Sequence, residues 1–229
     1  IESAACYEGE EDACAKVGFT NSTNSELSAS ESSGAAGAGG TAGESIDIAN
    51  LSQSSENIAC DPRTRDLGTQ DGYTEGKIVK IRICALPNLP STGEESKGGF
   101  GVSGANGQAI VNSRVSGAYF SLVEAAKREG RLQRSAASSF RTMLHQQQLW
   151  ADNPDPEIVA PPGYSNHQLG VAIDFYINSL SIASSQCIDV NGRCTARGYS
   201  DWEWLENNAH RYGIKPYVNE FWHWSPTGN

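Results

Sequence analysis

Four polar residues stand inside the two most apolar stretches of the C-terminal half of this chain. His167 and Asp174 bracket LGVAI, and Glu220 and His223 lie within YVNEFWHW. Burying a carboxylate or an imidazole is costly unless it is paired or bound to a metal. Two imidazoles and one carboxylate form a common three-ligand set for catalytic zinc, which leaves a fourth position for water. Zinc brings the pKa of such water to about 7, and a further carboxylate that touches the water rather than the metal can serve as general base. Glu220, three residues before His223, suits the base, with His167, Asp174 and His223 as the ligands.

Other chemistries use the same residues. Each could be an ordinary satisfied side chain, the carboxylates paired with nearby arginines. A two-histidine, one-carboxylate set also serves non-haem iron oxygenases, whose usual His-x-Asp pair differs from the wider spacing of His167 and Asp174. The HExxH helix of common zinc proteases is absent. The remaining histidines, His145 and His210, fall on expected helices without a carboxylate in comparable context, and read as structural.

The elements that must position these residues can be read from hydrophobic spacing. KIVKIRICAL, residues 77–86, alternates through Ile81, Ile83 and Ala85 and predicts a strand with one face covered. A Gly-rich passage, residues 98–107, reads as a loop. Residues 116–129 place Tyr119, Leu122, Val123 and Ala126 at helical spacing, with Ser116 as cap and Gly130 as stop. A second helix is expected over 142–151, halted by NPDPE, and a third over 201–212, with Ser200 as cap and Gly213 as end. The apolar run 171–177 suits a buried strand, and the aromatic segment IKPYVNEFWHW should return to the sheet beside it. Trp202, Trp204 and Trp224 read as core. Helices and strands intermix without a βαβ repeat, which predicts an α+β fold on a small, mainly antiparallel sheet with flanking helices.

The N-terminal quarter is different. Residues 1–59 carry ten acidic residues against Lys16 alone, a charge of -9 out of the chain's -10. Residues 21–57 are rich in Ser, Gly, Ala and Glu, a composition that buries too little apolar surface to offset its ordering entropy. The expected organisation is an acidic tail and linker over 1–58 with a small Cys6–Cys14 loop, then a domain over 59–229. That domain divides into an extension, 59–112, and a core, 113–229. So acidic a chain, with no basic block, is not expected to bind nucleic acid. It lacks the roughly 18 consecutive apolar residues of a spanning helix, and, starting at Ile1 without a signal peptide, reads as a mature or trimmed product. The six cysteines form three close pairs, Cys6 with Cys14, Cys60 with Cys84 and Cys187 with Cys194, without Cys-x-x-Cys. A disulfide set is the simplest reading and implies a secreted or cell-envelope location. A monomer is expected.

The motifs resemble the zinc carboxypeptidases of the VanY and D-alanyl-D-alanine type, within a wider group that includes the hedgehog N-terminal domain. The family pattern Ser-x-His-x-x-Gly-x-Ala-x-Asp is matched by Ser165, His167, Gly170, Ala172 and Asp174, and Glu-x-Trp-His by Glu220, Trp222 and His223. Upstream, SSFRTMLHQ is similar to the family's Tyr-Arg-Ser segment with a Gln five residues on, here Arg141 and Gln146. Phe140 replaces the usual Tyr, and Phe221 the common Pro. The resemblance covers roughly residues 111–224 and implies a hedgehog/D-Ala-D-Ala-peptidase-like fold. It implies Zn2+ on His167, Asp174 and His223, Glu220 as base, Arg141 as oxyanion stabiliser, and Ser165, Gln146 and Trp222 as substrate contacts. The implied substrate is the peptidoglycan stem peptide, cut by a D,D-carboxypeptidase that releases terminal D-Ala. A dipeptidase on free D-Ala-D-Ala, an endopeptidase cutting within the stem, and a zinc-bearing wall-binding module without catalysis are the alternatives.

Overall fold

The computed structural model describes residues 46–229, apart from Glu157. The expected Cys6–Cys14 loop and most of the expected linker lie outside the described residues. The strand alternation over residues 77–86 is realised within a longer strand. β1 (Arg65–Thr74) and β2 (Lys77–Pro90) form an antiparallel hairpin, and β3 (Gln108–Asn112) pairs antiparallel with the other edge of β2. Ile81, Ile83 and Ala85 are fully buried, as alternation toward one covered face requires.

Helix α1 (Ser113–Arg128) follows β3 directly and packs on β2. Val115, Tyr119, Leu122, Val123 and Ala126 recur at helical spacing and are buried. Its cap is Asn112, whose side chain accepts from Arg114 N, in place of the expected Ser116. Ser116 sits within the first turn, where its hydroxyl donates to Ser113 O and accepts from Asp61 N. Short β4 (Ala136–Ser138) precedes α2 (Met143–Asp152), capped by Thr142.

β5 (Ile173–Phe175) is the expected strand, trimmed at both ends. A small hairpin follows, β6 (Ile188–Val190) with β7 (Arg193–Thr195), and then α3 (Ser200–Asn208), which continues as a 3-10 turn over Ala209–Tyr212. Ser200 is the first helical residue rather than the cap, and Tyr199 at the cap position contributes no side-chain bond. The helical stretch ends at Gly213, whose φ of 71° is the left-handed turn that favours glycine. β8 (Lys215–Tyr217) turns into β9 (Glu220–Ser225), which lies beside β5.

The fold is therefore α+β, as expected, with its antiparallel strands divided among two larger sheets ordered β1-β2-β3 and β4-β5-β9-β8 and the two-stranded β6-β7. A single apolar cluster unites them and includes Trp202, Trp204 and Trp224. Cys60–Cys84 and Cys187–Cys194 are bonded as the spacing suggests. Residues 46–57 depart from the expected linker. Leu51 and Ser55 are buried, and Ser55 N–H donates to Lys80 O, so the folded unit already includes them. Its composition concealed this because a few well-placed residues, not the average, attach the segment. No helix among the described residues is long and apolar enough to cross a membrane.

Candidate metal centre and its surroundings

Strand pairing builds the centre. Asp174 on β5 stands directly opposite His223 on β9, so their side chains share one face of the sheet. His167 arrives from a loop shaped by its own backbone bonds, Gly170 N to His167 O and Val171 N to Asn166 O. Gly170 has φ of 72°, and a Cβ there would approach Asn112 N to 3.0 Å, so glycine is required where the loop passes the start of α1. Asn112 fastens this passage with Asn112 N to Gly170 O and Asn112 Nδ2 to Leu169 O.

His167, Asp174 and His223 are all buried, and one ligand atom from each lies within 4.8 Å of the others. His167 Nε2 is 3.2 Å from Asp174 Oδ2, and His223 Nδ1 is 3.0 Å from Asp174 Oδ1. The opposite ring nitrogens have backbone acceptors: His167 Nδ1 faces Ser139 O at 2.7 Å, and His223 Nε2 faces Asn229 O at 3.3 Å. Holding the outer N–H in this way fixes the tautomer that leaves the inner nitrogen's lone pair toward the centre. The donor set, two imidazoles and a carboxylate converging in a buried spot, fits a zinc-type ion.

The charges follow from burial and proximity. Burial alone would push the Asp174 carboxyl up, but His167 and His223 outweigh it and hold it far below the usual carboxylate range. Burial drives the His167 imidazole down, whereas His223, which burial would also lower, is held above 6.5 by Asp174 and Glu220. Glu220 sits at the rim, its Oε2 3.8 Å from His223 Nδ1. Burial first and the Asp174 charge second push the Glu220 carboxyl up to about 7, against the opposing pull of His223, Arg141 and a hydrogen bond from Trp222.

Arg141 precedes α2, and its backbone N–H donates to His167 O at 2.9 Å. Its guanidinium donates to Gln146 Oε1 at 2.9 Å and Ser138 Oγ at 3.0 Å, while buried Nε has no partner among the described residues. Burial lowers its pKa, and the charges of Asp174, Glu95 and Glu220 act in the other direction. Gln146 is fully buried: Oε1 holds Arg141 and Nε2 donates to Ala160 O. That placement makes it a support for the arginine. Ser165 Oγ accepts from His167 N at 3.3 Å and shapes the His167 loop, and buried Trp222 neighbours Glu220.

Three contributors escaped the sequence. The Ser139 carbonyl belongs to the backbone and leaves no residue signature. Tyr119, fully buried on α1, donates its hydroxyl toward Val171 O at 2.9 Å and Trp224 O at 2.7 Å, joining the chain segments on either side of the centre. Glu95, in the loop before β3, bonds His145 Nδ1 at 2.9 Å. His145, read from the sequence as structural, thus pairs with a carboxylate 50 positions away.

The family model described as VanY: D-alanyl-D-alanine carboxypeptidase matches residues 108–229, more than half of the chain. The chain belongs to the VanY family. Among solved structures, it is similar to the LdcB LD-carboxypeptidase at 22% identity and TM-score 0.42, covering 62% of this chain. The alignment spans 66% of that LdcB chain. It is also similar to a mutant of the vancomycin resistance D,D-pentapeptidase VanY from a VanB-type cassette in complex with Zn(II), at 24% identity and TM-score 0.38, covering 54% of this chain and 75% of that one. DacB from Streptococcus pneumoniae matches at 17% identity and TM-score 0.32, covering 70% and 84%. No curated protein sequence matches the chain. The VanY match contains the His167 loop, β5 and β9, whereas β1, β2 and Glu95 lie ahead of it.

Proposed function

We propose that this VanY-family chain is a zinc-dependent peptidase acting on peptidoglycan stem peptides, a D,D-carboxypeptidase that releases terminal D-alanine. The observation that carries the reading is the meeting of His167, Asp174 and His223 at one buried point beside the rim carboxyl of Glu220. A zinc ion held by these three residues would polarise a peptide carbonyl and acidify water beside it. Glu220, with its carboxyl near 7, is matched to take a proton from that water at neutral pH and return it to the leaving amine. Arg141, supported by neutral partners and without a carboxylate ion pair among the described residues, retains its positive charge for the oxygen that gains negative charge as the bond breaks. Ser165 and Trp222 border the ligand loop and the base, and we assign them to the walls of the substrate site. The two disulfides and a wall substrate both suit an extracytoplasmic location.

The test is a substrate panel: a stem pentapeptide ending in D-Ala-D-Ala, the tetrapeptide lacking the last residue, and a crosslinked dimer of stems, each followed by mass spectrometry. Release of D-alanine from the pentapeptide alone is the expected outcome. Cleavage confined to the tetrapeptide or the dimer would move the scissile bond. Zinc binding with no cleavage of any member would favour a wall-binding module and withdraw the catalytic roles.

A further inference from the structure

The segment ahead of the VanY match contacts the elements around the centre at two places. At the tip of the β1–β2 hairpin, Tyr73 N donates to Gln168 O at 3.2 Å and Gly76 N to Gly163 O at 3.1 Å, on either side of the ligand-loop residues Ser165 and His167. The second contact is Glu95, only 3% exposed, within the 3-10 turn Glu95–Lys97. Its Oε1 accepts from Thr142 N at 2.9 Å, and its carboxylate meets His145 Nδ1 at 2.9 and 3.1 Å. Phe100, from the same loop, stacks on His145 with ring centroids 4.3 Å apart.

We propose that Glu95 is a positioning residue for Arg141, so that the extension forms part of the active site and is not a separate cover. The inference rests on the peptidase reading given above. Two consecutive backbone N–H groups are fixed around the arginine, Arg141 N by His167 O and Thr142 N by Glu95. Glu95 also holds His145 in the first turn of α2, and the next residue, Gln146, grips the guanidinium. A shift of Glu95 therefore moves both the backbone anchor and the side-chain anchor of Arg141. The carboxylate adds a buried negative charge near a guanidinium that has no direct ion pair among the described residues, which offsets part of the cost of burying it. A plain helix cap would stabilise α2 without affecting the chemistry. Positioning predicts a loss that is visible only while Arg141 is present.

The experiment compares the full chain, Glu95→Gln, Arg141→Ala and the double variant, with kcat, KM, zinc content and Tm measured for each. Expected for Glu95→Gln is a kcat about tenfold lower, KM within about twofold, wild-type zinc content, and no further loss on the Arg141→Ala background. An unchanged kcat, or the same tenfold loss repeated without Arg141, would overturn the proposal and leave Glu95 a cap. If Glu95→Gln does not fold, His145→Phe keeps the stacking on Phe100 but removes the bond to Glu95. It should lower kcat in the same direction, and a wild-type kcat would count against the proposal. An activity-independent reading separates this failure from failure of the peptidase assignment. The Arg141 Nε–H resonance should be sharp in the native chain and broadened in Glu95→Gln, and an identical line in both would overturn the inference even in a chain that cuts nothing.

Discussion

Acidification should loosen metal binding through one imidazole before the other. Metal must displace protons from its ligands, so affinity falls wherever a ligand is protonated in the empty site. Asp174 is held far below the usual carboxylate range and stays ionised throughout the physiological window. His167 is lowered by burial and stays neutral to a lower pH than a free imidazole. His223 is raised above 6.5, and of the two imidazoles it charges first. Below its pKa, one proton competes per metal, so each further pH unit should weaken apparent affinity about tenfold, or about 1.4 kcal/mol. The dependence should steepen toward two protons only at lower pH, where His167 joins. Calorimetric zinc titration in buffers of different ionisation enthalpy reads the number of protons released. A value near one just below pH 6.5, rising on further acidification, is expected. With the titration run on Glu220→Gln, so that the carboxyl near 7 adds no proton to the count, no release through that window would refute the raised His223 imidazole, and two protons from the outset would refute the separation of the imidazoles.

Gly170→Ala should destabilise the fold by at least about 1–2 kcal/mol, because φ of 72° disfavours a side chain and the new Cβ would press on Asn112 N. Since Gly170 lies between His167 and Asp174, zinc affinity should weaken as well, and denaturant unfolding with zinc titration measures both. Tyr119→Phe removes the hydroxyl shared by two buried carbonyls and should cost about 1–3 kcal/mol by thermal unfolding, with wild-type KM in the folded protein. Replacing Cys60 and Cys84 with alanine opens a sequence separation of 24 and should cost about 3 kcal/mol in unfolding free energy. The Cys187–Cys194 pair, separated by 7, should cost about 1 kcal/mol less.

The convergence of His167, Asp174 and His223 was legible because it depends on local spacing and on strand pairing. His167 and Asp174 bracket an apolar run, and an aromatic strand carrying His223 has few places to lie except beside it. The Asp174–His223 register then follows from pairing β5 with β9. Less legible were contacts made by groups without a side-chain signature, such as the Ser139 carbonyl under His167. Long separations hid others: Glu95 meets Thr142 across 47 positions, and no periodicity links them. The cap of α1 was missed for a local reason. Asn112 and Ser116 both suit a helix start, and the choice was made by Asn112 bonding outward to Leu169 O while capping Arg114 N. Residues 46–57 show how average composition misleads, since Leu51 and Ser55 fasten a stretch that is otherwise polar.

The central claim is that His167, Asp174 and His223 hold a metal and Glu220 moves the proton. The most direct measurement takes zinc content and D-alanine release from a stem pentapeptide in parallel on the native chain and on Glu220→Ala. The account predicts about one zinc per chain in both, with cleavage reduced about a hundredfold or more in the variant. Equal cleavage by the two proteins, or no zinc in the native one, would contradict it.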